Sequence, residues 1–178
     1  MNIIGIIPAR MDSTRFPGKP MKKIHGMPMI GHCYHRTAIA LGVDSTYVAT
    51  CDIEIAEYIN SIGGHVIMTS NTHTRASTRT AESLEKIEQE KDEKVDIVVM
   101  VQGDEPLILP ETIKQVVPEF KDKSASIVNI MSRLATEESF KDVNNVKVVT
   151  ANNNDALYFS REPIPSPWKG WEDIPRYM

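Results

Sequence analysis

The sequence predicts an α/β fold in which a mostly parallel, twisted sheet carries helices on both faces, and three observations lead there. An apolar run over residues 3–7 is stopped by Pro8, and short apolar runs bounded by turn residues are buried strands. Strand-like and helix-like patterns then alternate, the order that gives parallel strands joined by right-handed crossovers. The first run empties into a polar, cationic loop, and open α/β sheets bind ligands at the carboxyl ends of their strands.

The elements follow in order. Ile30, Cys33, Tyr34, Thr37, Ala38 and Leu41 recur at three and four, and Gly42 closes this first helix. Residues 46–50 form the second strand. Ile55, Tyr58, Ile59 and Ile62 mark a second helix ended by Gly63 and Gly64, with a short buried strand over 66–68. A polar loop runs to about Thr78; Ala81, Leu84 and Ile87 then give a third helix. The charged run over 85–94 alternates in sign and is a solvated face of that helix and its exit. Residues 97–101 are a central strand, and after Pro110 a fourth helix carries Ile113, Val116, Val117 and Phe120. Further strands are expected over 127–131, 146–149 and 157–159. No repeat or low-complexity tract interrupts the pattern, so residues 1–178 are expected to form one domain.

Composition narrows the function. Lys and Arg total 20 against 24 acids, a net charge of -4, which disfavours a sequence-independent nucleic-acid binder and makes any phosphate site local. No stretch approaches the roughly 20 apolar residues of a membrane span, and no basic lead precedes the first apolar run, so a cytoplasmic location is expected. The two cysteines, Cys33 and Cys51, make neither a disulfide framework nor a paired zinc site. His32 and His35, three apart on the first helix, are packing or surface residues. The nine methionines fill the core.

Chemistry concentrates in two loops. The first carries Arg10, Ser13, Thr14, Arg15, Gly18 and Lys19. Two guanidinium forks and one ammonium can neutralise a triphosphate, the hydroxyls add donors, and Gly18 lets the backbone come close. It is not a Walker loop, because Lys19 is followed by Pro20, and the dinucleotide pattern of three glycines is absent. Nucleotidyl transfer fits it better than kinase or dehydrogenase chemistry. The second loop leaves the central strand as Gln102, Gly103, Asp104, Glu105 and Pro106. Asp104 suits Mg²⁺, a hard cation that shares oxygen ligands with substrate phosphates. The plainer reading, that Asp104 and Glu105 only open a turn before Pro106, stays open on this loop alone.

Taken together, Ile7-Pro8-Ala9-Arg10, Ser13-Thr14-Arg15, Pro17-Gly18-Lys19-Pro20, residues 26–30, Val48-Ala49-Thr50, residues 101–106, 146–149 and 156–161 resemble the 3-deoxy-manno-octulosonate cytidylyltransferase family. The resemblance implies a nucleotide-diphospho-sugar transferase (Rossmann-like) architecture that joins CMP from CTP to an acidic keto-sugar and releases pyrophosphate, in lipopolysaccharide or surface-polysaccharide biosynthesis. It also implies Mg²⁺ on Asp104, a nucleotide site at Pro8, Ala9, Arg10, Ser13, Arg15, Lys19, His73, Ser77 and Arg79, and sugar contacts from Gln102 and Arg161. Arg10, Lys19 and Asp104 would carry catalysis, with no protein nucleophile. A homodimer is implied for the full-length form.

Two departures accompany the resemblance. The family's His-x-Ser-Gly-Thr-acid-Arg loop here reads His73, Thr74, Arg75, Ala76, Ser77, Thr78, Arg79, so a glycine and an acid are lost and a cation gained. The family also continues past the position of Met178, with further sugar contacts and another metal-binding acid, so the 178-residue chain is expected to bind CTP but turn over slowly or not at all. Trp168 and Trp171 stand among prolines as a sugar-side flap, a dimer contact or a hydrophobic clasp. Two other readings remain: a metal-dependent nucleotide-sugar glycosyltransferase, which would not need Arg10, Arg15 and Lys19 to neutralise leaving pyrophosphate, and a noncatalytic nucleotide-binding relative.

Overall fold

In chain order the computed structural model contains β1 (Ile3–Pro8), the short hairpin strands β2 (Lys23–Ile24) and β3 (Met27–Pro28), α1 (Met29–Leu41), β4 (Thr46–Thr50), α2 (Ile53–Ser61), β5 (His65–Met68), α3 (Ala76–Lys91), β6 (Ile97–Met100), α4 (Pro110–Gln115), α5 (Glu137–Lys141), β7 (Lys147–Thr150) and β8 (Ala156–Ser160). It describes residues 1–12, 16–121, 125–168, 170 and 175–178. Two units, Met1–Ser126 and Ile127–Met178, divide the chain.

The first unit is built on a four-stranded sheet of order β5-β4-β1-β6, all pairs parallel, with Gly5 opposite Thr46 and Ile3 opposite Ile97. Alternation along β1 supplies both cores. Ile7 packs on one face with Ile30, Cys33 and Tyr34 of α1, Ile55 and Ile59 of α2 and Ile113 of α4. Ile4 and Ile6 pack on the other with Tyr47, Ala49, Ile67 and Ile87 of α3. The expected two-sided burial is therefore present, and period-two strands facing period-3.6 helices account for it. The chain steps outward from β1 to β4 and β5, then returns past β1 to β6. That reversal opens a crevice at the carboxyl ends of β1 and β6.

Helix boundaries differ from expectation in two places, each for a local reason. α3 begins at Ala76 rather than after Thr78, because the Thr78 hydroxyl turns back to donate to the Arg75 carbonyl at 3.0 Å and so completes a first helical turn. The expected fourth helix is split into α4 and a 3-10 segment over Val117–Lys121. Pro118 lacks the N–H an α-helix needs there, and its ring crowds the preceding turn.

In the second unit, β7 and β8 pair antiparallel as a separate two-stranded sheet, not as members of the parallel sheet. Residues 127–131 form no strand, and Ile127 is 81% exposed. Phe140 is fully buried, and the Thr136 hydroxyl caps α5 by accepting from the Ser139 amide at 3.1 Å. Buried Lys147 donates to the carbonyls of Asp142, Asn145 and Arg161 at 2.8, 2.9 and 2.6 Å, which satisfies all three ammonium protons. Among the described residues, no helix is long and apolar enough to cross a membrane.

Candidate active site

The crevice holds a cleft of about 320 Å³ within the first unit, lined by Pro8, Ala9, Arg10, Asp12, Lys19, Pro20, Met29, His73, Thr74, Arg75, Ala76, Arg79, Gln102, Gly103 and Asp104. Backbone ties set its first wall. The Ala9 amide donates to the Ala49 carbonyl at 2.9 Å, continuing the sheet past β1. The Met11 amide donates to the Asp52 carboxylate at 2.7 Å, which ties the loop to the start of α2. The Gly18 amide then returns to the Met11 carbonyl at 3.0 Å, so Lys19 is delivered back beside the strand end. Gly18 adopts φ 69°, the left-handed region that only glycine enters freely. Within the protein a side chain there would meet nothing nearer than Met11 Cε at 3.7 Å, so the glycine serves this turn.

Gly103 makes a close approach within the protein. A Cβ at this position would sit 2.7 Å from the Pro8 carbonyl oxygen, a backbone atom with no rotamer to escape into. Gly103→Ala is expected to push the second loop off the end of β1 at a cost of roughly 1–3 kcal/mol. Thermal melting checks this: a midpoint within 1 °C of the parent, about the error of the measurement, would contradict the tight contact.

Electrostatically the cleft is cationic, since Arg10, Lys19, Arg75 and Arg79 outnumber Asp12 and Asp104. Among the described residues the two loops meet through one ion pair: Lys19 Nζ donates to Asp104 Oδ2 at 2.8 Å. Arg79 is 3% exposed, and its guanidinium donates to the Thr69 hydroxyl and, at 3.5 Å, to Cys51 Sγ. Both acceptors are uncharged. Arg10 Nη1 donates to the His73 carbonyl at 3.4 Å.

Most expected residues thus share one cleft: Pro8, Ala9, Arg10, Lys19, His73, Arg79, Gln102 and Asp104 line it. Ser77 is exposed on the first turn of α3 and is not among the lining residues. Ser13, Thr14 and Arg15 lie outside the described residues, as does Trp171. Arg161 belongs to the second unit, where its Nη1 donates to the carbonyls of Val143 and Asn144 at 2.8 and 3.4 Å. Asp12, Met29 and Asp52 were not singled out by sequence reasoning. Asp52 carried a signal, because an acid just before an apolar-periodic stretch marks a helix start.

Glu82 was also missed. Its carboxyl is held down to about 2 by hydrogen bonds from Lys86 and His73 and from the Ser70 amide. The ordinary value is 4.5, so the carboxylate stabilises the fold above that pH, and the contribution is lost as pH falls toward about 2. Melting temperatures of the parent and Glu82→Gln should accordingly differ at pH 7 and converge near pH 2; a constant gap would contradict the assignment.

Among the described residues, no three His, Cys, Asp or Glu side chains cluster as a protein-only metal site. Asp104 still fits a magnesium site of the shared kind. It is a half-exposed carboxylate on the cleft wall, and Mg²⁺ is commonly held by one or two carboxylates plus substrate phosphates.

Comparison with known proteins fits this geometry. A family model described as cytidylyltransferase matches residues 4–169. A 3-deoxy-manno-octulosonate cytidylyltransferase of Geobacter metallireducens is 45% identical over 175 residues, covering 98% of this chain and 66% of the relative. One from Parabacteroides distasonis is 41% identical over 169 residues, covering 93% and 65%. The chain therefore spans slightly less than two thirds of these relatives' length. Among solved structures, a CMP:2-keto-3-deoxy-manno-octonic acid synthetase complexed with CTP superposes with a TM-score of 0.88 at 35% identity, covering 99% of this chain and 70% of that one. With its four-stranded parallel sheet, its cationic cleft and a family match over nearly its whole length, the chain belongs to the cytidylyltransferase family.

Proposed function

We propose that the protein transfers CMP from CTP to the anomeric hydroxyl of an acidic keto-sugar, 3-deoxy-manno-octulosonate or a close relative, and releases pyrophosphate. The observation that carries this reading is the Lys19 to Asp104 contact of 2.8 Å across the mouth of the strand crevice, which joins a phosphate-binding cation to a metal-binding carboxylate. Arg10 and Lys19 grip the triphosphate and offset the charge that builds on departing pyrophosphate. Arg15 joins them. Buried Arg79 directs a guanidinium edge at the nucleotide, and Gln102 meets the sugar. Arg161 pairs with the sugar carboxylate through two parallel donors. Asp104 would hold Mg²⁺ beside the nucleotide's phosphates, where the ion, when bound, would supply Lewis-acid stabilisation of phosphoryl charge. The sugar hydroxyl oxygen attacks the α-phosphorus in line as the bond from that phosphorus to the α–β bridging oxygen breaks; pyrophosphate leaves with the bridging oxygen and the hydroxyl proton passes to solvent, so alignment and charge stabilisation are the protein's work.

The reading is tested by thermal shift. CTP with Mg²⁺ is expected to raise the melting temperature more than ATP, GTP or UTP at equal concentration, because specific binding stabilises only the folded state. Equal shifts for all four would remove the cytidine assignment.

A further inference from the structure

Glu82 sits on the second turn of α3 and does not line the cleft, yet it gathers the cleft's third wall. The Ser70 amide donates to both of its carboxylate oxygens at 3.1 Å. Lys86 Nζ pairs with Oε1 at 2.7 Å and donates to the Met68 carbonyl, also at 2.7 Å. The third partner is His73, whose Nε2 meets Oε2. One carboxylate thereby ties the end of β5, the following turn and the His73 ring to α3.

The other His73 ring nitrogen, Nδ1, meets the Thr78 hydroxyl at 3.1 Å. An ionised carboxylate only accepts, so Nε2 is the donor toward Glu82. With Nδ1 held at the Thr78 hydroxyl, both ring nitrogens are engaged inside the protein. What His73 presents to Arg10 is its main-chain carbonyl, 3.4 Å from Nη1. We propose that Glu82 is a positioning residue: by clamping the His73 ring and the Ser70 amide it fixes the His73 carbonyl, and through that carbonyl the Arg10 guanidinium. The inference rests on Arg10 being a phosphate ligand. Arg10 is long and exposed, and among the described residues the His73 carbonyl is its one hydrogen-bond partner, so holding it in place lowers the ordering cost of binding.

A double-mutant cycle read by calorimetry tests this, with CTP and inorganic tripolyphosphate as probes. Glu82→Ala is expected to weaken both about tenfold in the parent, and less than about twofold in an Arg10→Ala background, because coupled neighbours are not additive. Glu82→Gln, which keeps the shape, should give the same coupling at smaller amplitude and carries the test if the alanine variant does not fold. Equal factors in both backgrounds would mean that Glu82 only supports the fold, and the proposal fails; unchanged affinity overturns it as well. A parent that binds tripolyphosphate but not CTP contradicts the cytidine reading alone, since the cycle can still be run. A parent that binds neither removes both.

Discussion

Asp104→Asn is expected to lower Mg²⁺-dependent pyrophosphate release by on the order of 10²- to 10³-fold while CTP still binds weakly. Asparagine keeps the shape of the side chain on the cleft wall but loses the charge that draws the ion. The same change removes the anionic partner of Lys19, 2.8 Å away, so that ammonium becomes free for phosphate. Nucleotide binding and turnover should therefore part company in this variant. Steady-state release measured across a Mg²⁺ titration checks it, and undiminished turnover at ordinary Mg²⁺ would exclude Asp104 as the ligand.

Lys19→Ala is expected to act on the other quantity, weakening CTP about 10- to 100-fold, the worth of one or two charge-assisted hydrogen bonds. Fold stability should change little. Lys19 pairs with a half-exposed carboxylate, and such surface pairs contribute roughly 0–1 kcal/mol. Calorimetric titration with CTP beside a melting curve separates the two effects. Normal CTP affinity in this variant would show that the cation serves the fold and not the nucleotide.

Much of this was legible in the sequence, and the misses have physical causes. The strand over Thr46–Thr50 was read to the residue because it is fully buried and bounded by polar turns. Both chemical loops could be read because strand ends place their residues in one crevice whatever the details of packing. Pairing was less visible. An apolar run does not say which strand it bonds to, so residues 146–149 and 157–159 were assigned to the parallel sheet although β7 and β8 form their own hairpin. The Asn152-Asn153-Asn154-Asp155 turn was a readable hairpin signal, with Asn154 at φ 68°. The run over 127–131 had the composition of a strand without a partner to make it one. Glu82 was invisible for a different reason: within a charged helix, nothing in the sequence marks which carboxylates turn inward.

The central claim is transfer of CMP to an acidic sugar, and phosphorus NMR of one mixture tests it most directly. The protein is incubated with CTP, Mg²⁺ and 3-deoxy-manno-octulosonate beside a matched neutral sugar. The account predicts a new phosphodiester signal and pyrophosphate in equal amounts with the acid and neither with the neutral sugar. Pyrophosphate without a phosphodiester, or equal turnover of the neutral sugar, would contradict it.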